Sequence, residues 1–528
     1  MLLGRNNASG KNRSSKQDVE HQELEQPRKR RAKGKRAHSS KRQRQACQDF
    51  LWYDALLQSG VCVLGGGKYS STLRLEDINY QMATTARQQE LLERYARFFN
   101  VFNMGEQLQV TIVNRRVERD VLLRKVLLKE PRHGDQASVL RADHNRLVRD
   151  EIGSARYSII AENYLTVTVS AGDVDEAIGK LAALTDTVSN LMWSLLECQA
   201  RVLTGSERVQ LMRELTRRCF SEGFDYEGMA LSAATTKDEL APTCVELQGG
   251  DRVVLGGDDG PIWTETLVMR DYPSWLSDRL FRRLTQVQAD LVISFHISPI
   301  DRAESREMVR KRKAMLDMER TAKRRRLAKE GLDPELDLPD DFQRAMREVV
   351  ELMADLDDND QRLYTTTLVV MVQADSEEEL TDRVARVRQA AKTESCDLAR
   401  LRFFQEQGFN TALPLGESFI PVQRTLTSAA VAVMVPFTSQ EILDDDGLFY
   451  GRNPATGNPI IADRRRTRNG NAFVLGTSGS GKSFFSKWEI TEVLMGRPED
   501  ELILSTSISR WRRRSGRRWL TSTRPRTR

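Results

Sequence analysis

The chain has 528 residues, 39% hydrophobic and 30% charged, the balance of a soluble globular protein with room for roughly two to four domains. Its longest weakly polar run, Ser428 to Phe437, falls far short of the ~20 residues of a membrane-spanning helix, and Met1-Leu2-Leu3 is too short for a secretory leader. The net charge of +6 hides a division: residues 1–46 hold 14 Lys/Arg against 4 acids and residues 509–528 hold 9 Arg against none, so the body between them is acidic and the overall basicity is no argument that it binds nucleic acid.

Residues 1–46 lack apolar periodicity and read as a disordered basic arm. Its Arg28–Arg31 and Lys41–Arg44 clusters read as a solvated tail, with contact to anionic lipid or nucleic acid as the alternative. Globular texture begins near Phe50. Strands around Val61–Leu64 and Tyr69–Leu75 flank Gly65-Gly66-Gly67, a hairpin signal rather than a nucleotide site, since no helix follows the glycines. A helix near Arg87–Phe102, a strand at Leu108–Val113 and a charged helical stretch from about Arg116 to Ile152 come next.

Two later segments resemble each other. Tyr164–Ser170 leads through Asp173 into a helix with Ile178, Leu181, Leu184, Val188 and Leu191 on one face. Thr367–Val372 leads through Ser376, with Glu379 completing a capping box, into a helix carrying Leu380, Val384 and Val387. With strands at Leu291–Ile297 and Leu398–Phe404, the pattern predicts α+β units of the split βαβ kind over residues 47–420. Between them, Glu304–Lys329 and the helically spaced Phe342, Met346, Val349, Val350, Met353 and Leu356 predict a long antiparallel helix pair. Its clusters Arg310–Lys313 and Lys323–Arg326 suit a solvated face, or a grip on phosphates or acidic partners.

The strongest chemical signal is Gly476-Thr477-Ser478-Gly479-Ser480-Gly481-Lys482-Ser483, the G-x-x-x-x-G-K-S phosphate-binding loop. Asn471–Leu475 before it reads as a short buried strand. After it Phe484, Phe485, Trp488, Ile490, Val493 and Leu494 read as the apolar positions of a helix ended by Gly496 and Pro498. In such a loop the glycines let backbone N–H groups turn toward the β-phosphate, Lys482 neutralises phosphate charge, and the Ser483 hydroxyl can coordinate Mg²⁺. The fold class expected is therefore an α+β N-terminal domain with a long helical hairpin, followed over 421–504 by the start of an α/β P-loop domain binding ATP and Mg²⁺.

Hydrolysis needs an acidic residue at the end of a later strand. Leu502-Ile503-Leu504 begins such a strand, but no acid occurs after Glu501. Leu291–Phe295 with Asp301 precedes the loop and reads as N-terminal sheet. Asp355–Asp360 fails as a calcium loop, with Asp360 where glycine is needed and Thr366 where glutamate is needed. Six scattered cysteines and five dispersed histidines give no metal spacing, no disulfide framework and no nucleophile–base pair, so no catalytic residue is assigned.

Gln48-Asp49-Phe50, Gly67-Lys68-Tyr69-Ser70, Asp77-Ile78-Asn79-Tyr80, Tyr450-Gly451-Arg452-Asn453 with Asn458-Pro459-Ile460, and Gly476–Ser483 together resemble the conjugative type IV secretion ATPases of the TraC/TrbE/CagE class, in the version carried by Gram-positive conjugative elements. The resemblance runs from about Gln48 to Leu504. It implies a hexamer-forming ATPase, cytoplasmic and peripheral at the inner face of the cell membrane. It also implies membrane components of a secretion channel as partners, an N-terminal docking domain and a RecA-like domain that hydrolyses ATP; direct DNA binding stays open. By position, Gly476, Gly479, Gly481, Lys482 and Ser483 are the phosphate and Mg²⁺ contacts, and Ser478 departs from an expected proline. The Arg-, Ser- and Thr-rich end from about Ser505 departs further, and the expectation is a frameshift near codon 504 that leaves an incomplete copy, without the acidic strand and most of the ATPase domain, so that activity as an enzyme stays open. Two other readings stand beside this one: a non-catalytic scaffold of the secretion complex, and a DNA-translocating coupling ATPase.

Overall fold

Strand–helix–strand order occurs twice along the chain, and the two copies join into one sheet. The computed structural model describes residues 46–497 except 79, 81–82, 118, 130–136, 154–157, 220–223, 233, 274–275, 330–338, 359–360, 438–441, 445–446, 454–456 and 467–468. The basic arm, Leu502–Leu504 and the Arg-rich end lie outside these residues.

The first copy runs β1 (Lys68–Leu75), α1 (Thr85–Phe99), β2 (Gln107–Val117), α2 (Arg119–Val126), α3 (Ser138–Gly153), β3 (Ser158–Ser170), α4 (Val174–Leu196) and β4 (Ala200–Val202). After α5 (Gly205–Arg217), the second runs β5 (Gly260–Asp271), α6 (Arg279–Thr285), β6 (Asp290–Pro299), α7 (Arg302–Lys329), α8 (Asp340–Asp358), β7 (Leu363–Ala374), α9 (Glu377–Thr393) and β8 (Asp397–Arg400). Strand order is β4-β1-β3-β2 in one copy and β8-β5-β7-β6 in the other, the split βαβ order each time. The correspondence extends outward, because β1 also pairs with the hairpin strand Cys62–Gly65 and β5 with Arg252–Gly257.

Strands β2 and β6 join the copies antiparallel, with Leu108 opposite Ile297 and Asn114 opposite Leu291. A helical pair interrupts both copies at the same place, between second and third strands: α2–α3 in one and α7–α8 in the other. Because β2 and β6 run in opposite directions, the two pairs leave from opposite ends of the sheet. The charged stretch expected over Arg116–Ile152 is thus the end of a strand followed by two helices. Leu291–Ile297 lies within the inner strand β6, and the Asp301 carboxylate caps α7, accepting the Ala303 N–H at 2.8 Å.

Alternation decides what each sheet face buries. Leu108, Val110 and Ile112 of β2, Leu165 and Val167 of β3, Ile293 and Phe295 of β6, and Val370 and Val372 of β7 face α1, α4, α6 and α9 in one core. Leu181, Val188, Val384 and Val387 are the helix side of that core, and full burial of each such side chain contributes roughly 1.5–3 kcal/mol. The matching helices start on matching caps: Asp173 accepts the Glu176 N–H at 2.8 Å and Ser376 the Glu379 N–H at 3.2 Å. The Glu379 carboxylate itself takes the N–H of Asp375, one residue before the cap.

The opposite face is covered by α5, by α10 (Gln405–Ala412) and by the irregular chain after it, with Phe50 packed on Phe409 at 5.0 Å between ring centroids. Strand Arg424–Thr427 pairs with β7, so the sheet continues past residue 420. A separate hairpin follows, β9 (Leu448–Arg452) with β10 (Pro459–Ala462), and last comes α11 (Lys482–Gly496).

Candidate nucleotide-binding loop

The phosphate-loop residues lie where the chain turns into α11. Gly479 and Gly481 have φ of 82° and 86°, the left-handed region glycine enters without a Cβ penalty, and Gly481 is the N-cap of the helix. Its carbonyl accepts the N–H groups of Phe484 and Phe485 at 2.9 and 3.0 Å. Lys482 is the first helical residue, and its ammonium donates to the carbonyls of Gly476 at 2.8 Å and Thr477 at 2.5 Å, curling the loop over the helix end. Gly476, Thr477, Ser478, Gly479, Ser480, Gly481 and Ser483 are all solvent-exposed, and Lys482 is half-buried. A left-handed glycine turn, a lysine ammonium and the first turn of a 15-residue helix on an open surface suit a phosphate group. Ser483 in that turn is exposed and could offer its hydroxyl to a metal ion. Among the described residues no group of three or more His, Cys, Asp or Glu side chains could hold a metal ion, and the six cysteines form no disulfide.

The chain before the loop differs from expectation. Asn471–Leu475 forms no strand, and Phe473 and Leu475 are 89% and 88% exposed. An apolar run becomes a strand only when a neighbour takes its backbone groups, and among the described residues none does. The helix also buries an unexpected face. Phe484 is 77% exposed, whereas the buried positions of α11 are Glu492 and Met495.

What holds α11 is the helical pair inserted in the first copy. His144 Nδ1 of α3 lies 2.6 Å from Glu492 Oε1, and the fully buried Arg141 donates from Nε to the Met495 carbonyl at 2.8 Å. An arginine on a terminal carbonyl satisfies one of the acceptors a helix leaves unpaired at its C-terminus. Beneath the contact, Leu123, Val126, Val148, Ile152 and Ile461 form a small core of their own.

The hairpin β9–β10 completes the seat. The Tyr450 hydroxyl donates to Glu489 at 2.6 Å and its ring meets Trp488 edge-on at 5.8 Å; burial, then the Glu489 carboxylate, push the phenol up to about 12. Arg464 also pairs with Glu489, at 2.6 Å. Arg497, just past the helix, pairs with Asp463 at 2.8 Å, and Arg465 together with Arg497 holds that carboxyl well below the usual carboxylate range. Arg452 reaches Glu151 of α3 at 2.9 Å. The segments Tyr450–Asn453 and Asn458–Ile460, separate in sequence, are the two sides of this one hairpin, and Asn453 N–H donates to the Asn458 carbonyl at 2.8 Å.

A second constellation lies across the sheet. Arg208 of α5 is wholly buried and donates to the carbonyls of Gly60, Ser70 and Pro414 and to the Ser70 hydroxyl at 2.7–3.0 Å; burial draws its pKa down. Gln109 donates to the Leu413 carbonyl and accepts the Gly416 N–H, Ser294 donates to the Ala412 carbonyl, and His296 donates to that of Thr411 at 2.8 Å. These side chains strap residues 411–416 to both copies of the sheet. Lys68 of the Gly67–Ser70 segment adds an ion pair to Glu417, and Tyr80 donates to Asp278 at 2.9 Å; Asn79 lies outside the described residues.

Sequence reasoning missed both constellations. The one signal for Arg208 was its place on the apolar stripe of α5, between Gly205, Leu211, Met212 and Leu215. Nothing marked Glu492, a carboxylate on an otherwise apolar helix. No family model matches the chain, and no curated protein matches it. Among the described residues no helix is long and apolar enough to cross a membrane.

Proposed function

We propose that this chain is an ATP-binding component of a conjugative type IV secretion machine, seated through its sheet on membrane components of the channel at the inner face of the cell membrane. The observation that carries the reading is the loop Gly476–Ser483 at the start of α11, with Lys482 and two left-handed glycines where triphosphate oxygens would lie. Gly476, Gly479 and Gly481 would offer backbone N–H groups, Lys482 would give up its loop carbonyls for the β- and γ-phosphates, and Ser483 would hold Mg²⁺. Bound ATP would supply a phosphoanhydride, whose cleavage in the family that the chain resembles energises channel assembly and transfer of DNA or protein; no residue of this chain is assigned to that cleavage. The Tyr450–Asn453 and Asn458–Ile460 segments support the family reading, because they pair in one hairpin whose Tyr450 lies directly against the helix that carries the loop.

A scaffold role is the second reading, favoured by the commitment of both acids of α11: Glu489 to Tyr450 and Arg464, Glu492 to His144. A DNA-translocating coupling ATPase is less consistent with the N-terminal signatures. Equilibrium binding of a fluorescent ATP analogue with Mg²⁺, beside Lys482→Ala, tests the nucleotide reading. Binding by the parent and loss of at least tenfold in the variant is expected; equal signals overturn it. Mg²⁺-dependent turnover in the same samples then separates an ATPase from an ATP-binding scaffold.

A further inference from the structure

Helix α7 is the counterpart, in the second copy, of the helical pair that seats α11, and its chemistry is entirely different. It carries twelve Lys/Arg against four Asp/Glu, and α8 beside it carries seven acids against two bases. The two lie antiparallel, with Arg306 paired to Asp357 at 3.0 Å near one end and the Lys323 ammonium 4.2 Å from the Phe342 ring centre near the other. Ser305, Val309 and Leu316 of α7 are buried. The acids of α8 do not consume the charge on the outer side. Among the described residues Arg310, Arg312 and Arg325 are exposed and make no ion pair, and Lys311 has only the neighbouring Glu307 at 3.2 Å.

The arrangement of these charges distinguishes the partner. At 3.6 residues per turn, Arg310, Lys311 and Arg312 fan through about 200° of the helix circumference. Arg325 returns to within about 40° of Lys311, roughly 21 Å further along the axis. A flat anionic bilayer calls for charge on one side and bulky apolar side chains to enter the interface. Here the large apolar groups exposed among the described side chains of α7 are Met308, Met315 and Met318, with no aromatic or branched aliphatic residue. A rod charged on its crown and both flanks instead matches a groove walled by phosphates. The major groove of duplex DNA is ≈ 12 Å wide and admits a helix of 10–12 Å diameter.

We infer that the outer side of α7 is a docking surface for double-stranded nucleic acid, held by phosphate contacts from Arg310, Lys311, Arg312 and Arg325 without base selection. The inference stands apart from the nucleotide loop, whose helix is seated at its far end on the other insertion. Because arginines supply most of the surface, bidentate phosphate contacts are available as well as point charge.

The test is fluorescence anisotropy of the full chain with a labelled duplex of about 20 base pairs across a salt series, beside R310Q/R312Q/R325Q. Each phosphate contact adds about 0.9 to the slope of log K against log salt. The triple variant is expected to bind at least tenfold more weakly near 0.1 M salt, with its slope reduced by about 2 to 3 and its melting temperature unchanged. Arginine-to-lysine exchange at the same positions should restore most of the slope. Failure of the parent to bind, or identical affinity and slope in parent and variant, overturns the assignment; the second result moves duplex binding to the basic arm. Loss of binding to phosphatidylglycerol vesicles with duplex binding intact also overturns it, in favour of a lipid surface.

Discussion

Glu492 of the phosphate-loop helix meets His144 of the inserted helix α3 at 2.6 Å, with the two side chains only 2% and 10% exposed. Together with Arg141 on the Met495 carbonyl, the contact fixes the C-terminal end of α11 while its N-terminal end stays open to solvent. The inserted helix α3 and the hairpin β9–β10 together seat α11.

Removing either partner strands the other in a dry contact, and the pair should therefore show coupling. In a double-mutant cycle of His144→Ala and Glu492→Ala, read by urea denaturation, a coupling of about 1–3 kcal/mol is expected. Additive losses would mean that the two side chains do not interact in solution.

Arg141→Ala should destabilise the seat of α11 by about 2–3 kcal/mol, the scale of a buried charged hydrogen bond. Amide exchange should rise through residues 485–497 while β2, β3 and β6 keep their protection. Uniform acceleration across the sheet would show that the insertion and the sheet open as one unit.

Gly416 and Gly66 separate two costs of a side chain. Both have positive φ, +94° and +60°, but a Cβ at Gly416 would sit 2.1 Å from Thr168 Oγ1, whereas at Gly66 it meets nothing within 4 Å. Gly66→Ala should cost about 1–2 kcal/mol, the left-handed penalty alone. Gly416→Ala should cost at least about 2 kcal/mol more, because the strap over the sheet must move. Equal losses by thermal or urea unfolding would remove the steric part of the account.

His296 sets a pH dependence. Burial lowers its pKa from 6.5 to about 4, and its Nε2–H is given to the Thr411 carbonyl. Between those values the unfolded chain takes up a proton that the folded chain refuses, so stability falls as pH drops from about 6.5 toward 4. The full loss is on the order of 3 kcal/mol. His296→Asn keeps a donor without the titration, and urea midpoints at pH 7 and 4.5 should differ less for it than for the parent. An unchanged difference would place the acid sensitivity elsewhere.

Lys482 contacts only carbonyls of its own exposed loop, so Lys482→Ala should leave the melting temperature within error of the parent. A lowered melting temperature without nucleotide would give the lysine a structural role that the geometry does not.

Much of the duplicated sheet was legible. The alternation in Tyr164–Ser170 and Thr367–Val372, with capping residues at Asp173 and Ser376, carries local rules that tertiary packing reinforces. How the copies join was not, because the pairing of β2 with β6 depends on edges that come from opposite copies. The turn at the start of α11 was readable from Gly479 and Gly481, but its surroundings were not. Apolarity at Phe473 and Leu475 predicts burial only if a neighbour exists to bury it. Polarity at Glu492 and Arg208 predicts exposure unless a partner such as His144 or the Ser70 carbonyl waits inside.

The doubled architecture has one more consequence. A scaffold built from two copies offers the same attachment point twice, so one can be surrendered to a binding task without endangering the other. At the first insertion the chain has committed its helices inward, to hydrogen bonds and a shared apolar seam. At the second the equivalent helices turn charge outward. Two equivalent positions in the topology thus carry different surface chemistries.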